Sequence, residues 1–251
     1  MRFRVAEAKT LYAAGKYARG AELARAAVRS AQQLEYKPLQ AEALYALAQN
    51  EEKRGQADSA QKVLEDAIIA AEATSQDEIA ARAWILLVVV VGSQQAHPEE
   101  AQCLARFAGA AVERLGPDHP LEGELHQALG VVLAAQNEHR PSLASFERAL
   151  AIKQRSRGPE DPEVANALTN LGIAHARLGE YAQALEDHQR ALLVREKSLG
   201  ADHPEVAVSL NNLGALYAQV GRFEDALAHT NGRSPFAALP SARIIRKSQP
   251  R

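Results

Sequence analysis

Residues 168–185 read LTNLGIAHARLGEYAQAL and residues 210–227 read LNNLGALYAQVGRFEDAL, one sentence written twice at an interval of 42. Working outward, Pro120, Pro162 and Pro204 keep that interval, as do Gly116, Gly158 and Gly200, and Leu129, Leu171 and Leu213. A period of this size marks stacked repeats, each of which buries its apolar face only against its neighbours. The sequence therefore predicts an all-α solenoid of antiparallel helix pairs. Such a stack offers an extended docking surface rather than an enclosed reaction centre.

Residues 157–198 show the grammar of one unit: a turn RGPED, a helix from Pro162 to about Leu178, a break at Gly179-Glu180, and a second helix from about Ala182 to Ser198. Pro162 stands where a missing N–H costs nothing, Asp161 is placed to cap the free amides, and Gly179 is suited to the left-handed residue that ends a helix. Gly130, Gly172 and Gly214 recur inside the first helices, where glycine costs about 1 kcal/mol relative to alanine. A repeated cost needs a packing reason. Ser142, Ala184 and Ala226, which recur on the second helices at the same interval, are expected to face those glycines and let the paired helices approach closely.

The pattern L-x-x-L-G-x-x-Y followed by G-x-Y-x-x-A-L resembles the tetratricopeptide repeat (TPR). The 42-residue period, the LGADHPEVA junction at 199–207 and HQRALLVREKSLG at 188–200 are similar to the kinesin light chain variety, across residues 115–228. The resemblance implies a right-handed superhelix, the TPR superhelix, with first helices lining a concave face that takes a peptide or partner domain. It implies that Asn170 and Asn212, just before the Leu-Gly pair, hydrogen-bond an extended peptide backbone. An amide suits that task because it both donates and accepts. Thr169, Asn211, Arg177 and Gln219 are expected on the same side, with Gln127 as the corresponding residue one copy earlier. Ala128 stands where Asn170 and Asn212 stand in later copies, which interrupts any polar ladder.

The first half keeps the frame with more divergence. Tyr17, Ala57, His97, His139, Tyr181 and Phe223 follow one another at intervals of 40, 40, 42, 42 and 42. In that frame Leu44, Leu47 and Ala48 belong to the second unit's first helix, and Ala60, Leu64 and Ala67 to its second. Glu51 replaces the tyrosine found at Tyr217, and the turn around 94–99 carries one extra residue. The expected organisation is diverged TPR-like pairs over 1–114, the regular repeats over 115–228, and a basic tail over 229–251: about five complete pairs and a truncated sixth. The tail, HTNGRSPFAALPSARIIRKSQPR, reads as a shifted or truncated frame, as a natural basic tail, or as a makeshift cap folding Phe236, Leu239, Ile244 and Ile245 over the open end.

Composition narrows the function classes. Of the overall charge of −2, the tail contributes +5 and the preceding residues carry −7, so nothing in the charge of the whole chain calls for nucleic acid or an anionic membrane. An anion-binding arm in the tail is the one reading that would. The nine-residue apolar stretch AWILLVVVV at 83–91 is less than half of the roughly 20 needed to span a bilayer, and is expected to be a buried helix. The N-terminus shows no signal-peptide core, which points to a cytoplasmic chain. Cys103, the single cysteine, is expected at a buried small-residue position.

Nucleophile elbows, phosphate loops, dinucleotide fingerprints and H-E-x-x-H do not occur, so no catalytic residue, metal ligand or cofactor is expected. His119 and His203 read as exposed junction residues, and His126, His175 and His188 as core filling or inter-helix hydrogen bonding. Two functions remain in view: a non-catalytic interaction scaffold, or the sensory region of a larger signalling protein such as a bacterial serine/threonine kinase or transcriptional regulator. Oligomeric state is not legible.

Overall fold

The punctuation seen in the sequence is what cuts the chain into helices. Gly179 ends a helix at φ +79°, and Asp161 Oδ1 accepts the Glu163 N–H at 2.8 Å to start one. The structure, a computed structural model, describes residues 2–230. Twelve α-helices occur among them: α1 Arg2–Ala13, α2 Tyr17–Gln33, α3 Lys37–Lys53, α4 Ala57–Glu72, α5 Asp77–Val89 and α6 Pro98–Glu113. There follow α7 Leu121–Ala135, α8 His139–Arg157, α9 Pro162–Arg177, α10 Tyr181–Leu199, α11 Pro204–Gln219 and α12 Phe223–Thr230. They form five complete pairs and a sixth whose second helix is short among the described residues, as the period predicts. The readings of the tail, including the cap by Phe236, Leu239, Ile244 and Ile245, lie outside the described residues from 231 onward.

The chain divides into two compact units, with the boundary between Ser156 and Arg157. In the first, each helix packs on the next in chain order from α1 to α7, and the first helices α1, α3, α5 and α7 also pack on one another. Alanine makes this possible. Ala21, Ala24, Ala27 and Ala31 on α2 and Ala41, Ala43, Ala46 and Ala48 on α3 are buried, so the helix axes come close and a continuous core runs from Val5 to Val132. The apolar 83–91 stretch lies in this core, with Ala83, Ile85, Leu87, Val88, Val90 and Val91 buried and Trp84 stacked on Phe107 at 5.4 Å between centroids. The second unit packs α9 on α10, α10 on α11 and α11 on α12 around Leu192, Val206, Leu210, Leu213 and Tyr217.

Both departures in the first half have a local solution. The extra residue near 94–99 is absorbed as a π-helical turn at Val90–Gln94, where the Gln95 N–H donates to the Val90 carbonyl five residues back and Ala96 takes φ +57°. Such single turns are how an α-helix takes up one insertion. Glu51, where the last copy has Tyr217, is buried as a carboxylate paired with Arg25 and with Arg54.

Two expectations are corrected. The small residues are not what makes the interior glycines necessary, although Ser142 Oγ donates to the Gly130 carbonyl at 2.8 Å and the Ala226 carbonyl lies beside Gly214. A Cβ on Gly130 would lie 2.5 Å from the Phe146 ring, on Gly172 2.9 Å from His188, and on Gly214 2.7 Å from Thr230. These partners sit 16 residues after each glycine, one helical turn beyond Ser142, Ala184 and Ala226. The glycines thus admit a larger side chain across the hairpin. Cys103 is exposed because the buried stripe of α6 is Ala101, Ala105, Ala108 and Val112, and a residue two after Ala101 is turned about 200° away from it.

The start of α9 provides a test of the capping argument. Asp161→Ala is expected to lower stability by about 1 kcal/mol in urea titration, and Asp161→Asn by much less. Equal values for the two variants would show that the carboxylate is not acting as a cap.

Candidate functional site

In the second unit α9 and α11 present an open groove of about 310 Å³. Its polar lining is Arg177 near the end of α9 and Asn212 and Gln219 on α11, and Ile173, Ala215 and the edge of His188 supply apolar surface. Three of the seven residues expected at a binding face are therefore brought together. They share a face because Asn212 and Gln219 are two turns apart on one helix. Ile173, 45% exposed, is a large apolar side chain left open beside a guanidinium, an arrangement that suits a ligand with both apolar and polar parts.

The hydrogen bonding around the groove is uneven. Gln219 Nε2 donates to the Tyr181 hydroxyl at 3.3 Å, which steadies that side chain. Arg177 and Asn212 make no side-chain hydrogen bond or ion pair among the described residues. His188 is buried, and burial first, then the charge of Arg195, pushes its pKa down to about 4. It is therefore neutral at pH 7. Behind it, His175 Nδ1 lies 2.9 Å from Asp187 Oδ2 and bridges α9 to α10, the inter-helix role expected of that histidine.

The remaining expected residues fall elsewhere. Asn170 is half-buried on α9 and outside the groove lining, and Asn211 is exposed on α11. Thr169 and Gln127 are turned inward: Thr169 Oγ1 accepts from Arg195 Nη1 at 3.0 Å, and Gln127 Oε1 accepts from Lys153 Nζ at 2.6 Å. Ile173 was not singled out from the sequence, and His188 was expected as core filling or inter-helix hydrogen bonding rather than at a groove edge. A signal for His188 existed in its spacing of 16 from Gly172, which matches Phe146 and Gly130.

The first-helix face of the first unit is occupied by its own side chains. Arg82 on α5 donates to Glu78 at 3.0 Å and reaches Glu124 on α7 at 3.5 Å. Its charge also acts on Tyr45 of α3, whose hydroxyl is pushed well above its ordinary pKa, chiefly by burial. His119 and His203, expected only as junction residues, each accept a backbone N–H through Nδ1, from Leu121 at 3.3 Å and Glu205 at 3.2 Å. They take the capping place that Asp161 holds in the copy between them. Among the described residues no helix is long and apolar enough to cross a membrane.

Comparison with known proteins places these helix pairs in context. A family model described as tetratricopeptide repeat matches residues 5–71, and a second of the same description matches 142–186 and 163–231. No curated protein matches the sequence significantly. Among solved structures, BtubC (BKLC) from P. vanneervenii is similar with a TM-score of 0.70 at 20% identity, over 94% of this chain and 95% of that one. A Rap protein complexed with Competence and Sporulation Factor has a TM-score of 0.68 at 13% identity, over 92% of this chain and 73% of that one. A thermophilic TPR protein in Thermus thermophilus has 0.57 at 22%, over 90% and 98%. At these identities the likeness is one of fold.

Proposed function

Because the chain belongs to the tetratricopeptide repeat family, we propose that it is a protein-interaction scaffold whose second unit captures an extended peptide or partner segment between α9 and α11. The observation that carries this reading is the pair of unpartnered polar side chains, Arg177 and Asn212, standing over open apolar surface. An amide with a free donor and acceptor pairs with a peptide group, and a free guanidinium takes a carboxylate. Gln219, held by Tyr181, supplies a second amide at the same end, with Asn170 on the neighbouring part of α9. The Rap protein named above was solved in complex with a factor, which supports capture as work this fold performs.

The reading is one of binding without turnover. The groove's polar groups are two amides and a guanidinium, none of which exchanges protons near neutrality. Its histidine, at about 4, is a weak base. Selection of displayed random peptides against the protein tests the proposal. Peptides recovered on the wild-type chain are expected to lose about tenfold in affinity for Asn212→Ala and about a hundredfold for Arg177→Glu. Peptides that bind all three proteins equally would place the binding surface elsewhere.

A further inference from the structure

Arg195 on α10 is 3% exposed, and its guanidinium is used on two helices at once. Nη1 donates to Thr169 Oγ1 at 3.0 Å and to Ser209 Oγ at 2.6 Å, Nη2 donates to Asn166 Oδ1 at 2.7 Å, and Nε faces Glu205 Oε2 at 3.3 Å. Thr169 and Asn166 belong to α9, and Ser209 and Glu205 to α11. The two hydroxyls give their own protons to Ala165 O and Glu205 O within their helices, which leaves only lone pairs for the guanidinium. The network has one polarity and a fork geometry that a point-charge ammonium does not reproduce.

The preceding copy shows one arm of this arrangement in different residues. Lys153, 42 positions before Arg195, is 2% exposed on α8 and donates to Gln127 on α7 at 2.6 Å, where Gln127 is 42 before Thr169. A long acceptor is matched to a compact cation in one copy, and a short acceptor to a forked cation in the next. The match is between chemical partners rather than between identical residues.

We propose that Arg195 is the positioning residue of the α9–α11 groove, a buried lock that sets the spacing of the helices bearing Arg177 and Asn212, and that Lys153 with Gln127 is the corresponding α8–α7 contact of the pair before it. The claim rests on the groove reading for its functional meaning, but not for its physical test. Its basis is that one side chain holds polar groups of both groove-forming helices, with His188, two turns earlier on α10, at the groove edge. Thr169 thereby becomes part of the lock, and Gln127 part of the earlier contact.

The test exchanges the lock for the earlier copy's contact. In a Cys103→Ser background, spin labels at positions 173 and 215 report the α9–α11 distance while urea titration reports folding. Arg195→Lys is expected to broaden the distance distribution and to lower the folded-to-unfolded ratio by about tenfold to a hundredfold. Thr169→Gln combined with Arg195→Lys, which installs the earlier copy's pair, is expected to recover part of the folding stability through the α10–α9 contact and to leave the distance distribution broad. The lock is overturned if Arg195→Lys leaves the distribution unchanged, or if the double variant is no more stable than the single one. If Arg195→Lys is too unstable to label, partial recovery of folding in the double variant decides the same point. Affinity for a displayed peptide selected on the wild type is expected to follow the distance, and unchanged affinity alongside a broadened distribution overturns the positioning role. Failure of any peptide to bind the wild type would count against the groove alone, since the distance measurement stands without a ligand.

Discussion

Phe146→Ala is expected to destabilise the first unit by about 3–5 kcal/mol, and adding Gly130→Ala to that variant to recover part of the loss. The sign of the glycine effect depends on the ring. In the native chain a methyl at Gly130 would sit 2.5 Å from the Phe146 ring, and ring atoms of a buried phenylalanine have nowhere to yield. Gly130→Ala alone is therefore expected to cost about 1–3 kcal/mol by overpacking, outweighing the roughly 1 kcal/mol gained in helix propensity. Once the ring is gone, the methyl enters vacated space and the propensity gain remains. One substitution thus destabilises or stabilises according to residue 146. Urea unfolding of the four proteins measures it, and additive effects would show that glycine and phenylalanine do not share a site.

Acid is expected to weaken the second unit through His188. Its pKa is lowered to about 4 by burial and then by Arg195, whereas in the unfolded chain it returns to about 6.5. Between those values the unfolded state binds a proton that the folded state refuses. The stabilisation is fully present above about pH 6.5 and is lost progressively as pH falls toward 4, by on the order of 3 kcal/mol. Asp187 works in the opposite sense: burial raises its pKa, partly countered by His175, so its folded form gains protons first and offsets part of the loss. His188→Phe, which reproduces the Gly130–Phe146 pair at Gly172, is expected to remove the histidine contribution and flatten the pH profile from 6.5 to 4. A profile unchanged by His188→Phe would assign the acid sensitivity to other groups.

The two residues behind these expectations show where the sequence is legible. The repeat grammar is written in turn chemistry: Asp161 and Gly179 act through their own backbone and nearest neighbours, so their roles are readable without coordinates. The partner of an interior glycine is not local. It depends on how two antiparallel helices cross: Ser142 reaches the Gly130 carbonyl, while the Phe146 ring, one turn further along, fills the space where a Cβ would stand. Thr169 and Asn170 make the same point for the site. They are adjacent in sequence but about 100° apart on the helix, and one turns to Arg195 while the other stays outside the lock. The amide pattern pointed to α9 and α11, the two helices that flank the groove. It could not separate residues that line the groove from those that hold its walls.

The most direct test of the groove is a chemical-shift map of the isotopically labelled protein titrated with a peptide selected on it. The proposed reading requires the shifted amides to cluster at Ile173, Arg177, Asn212, Ala215 and Gln219. Shifts confined to the first unit, or to the outer faces of α10 and α12, would contradict it.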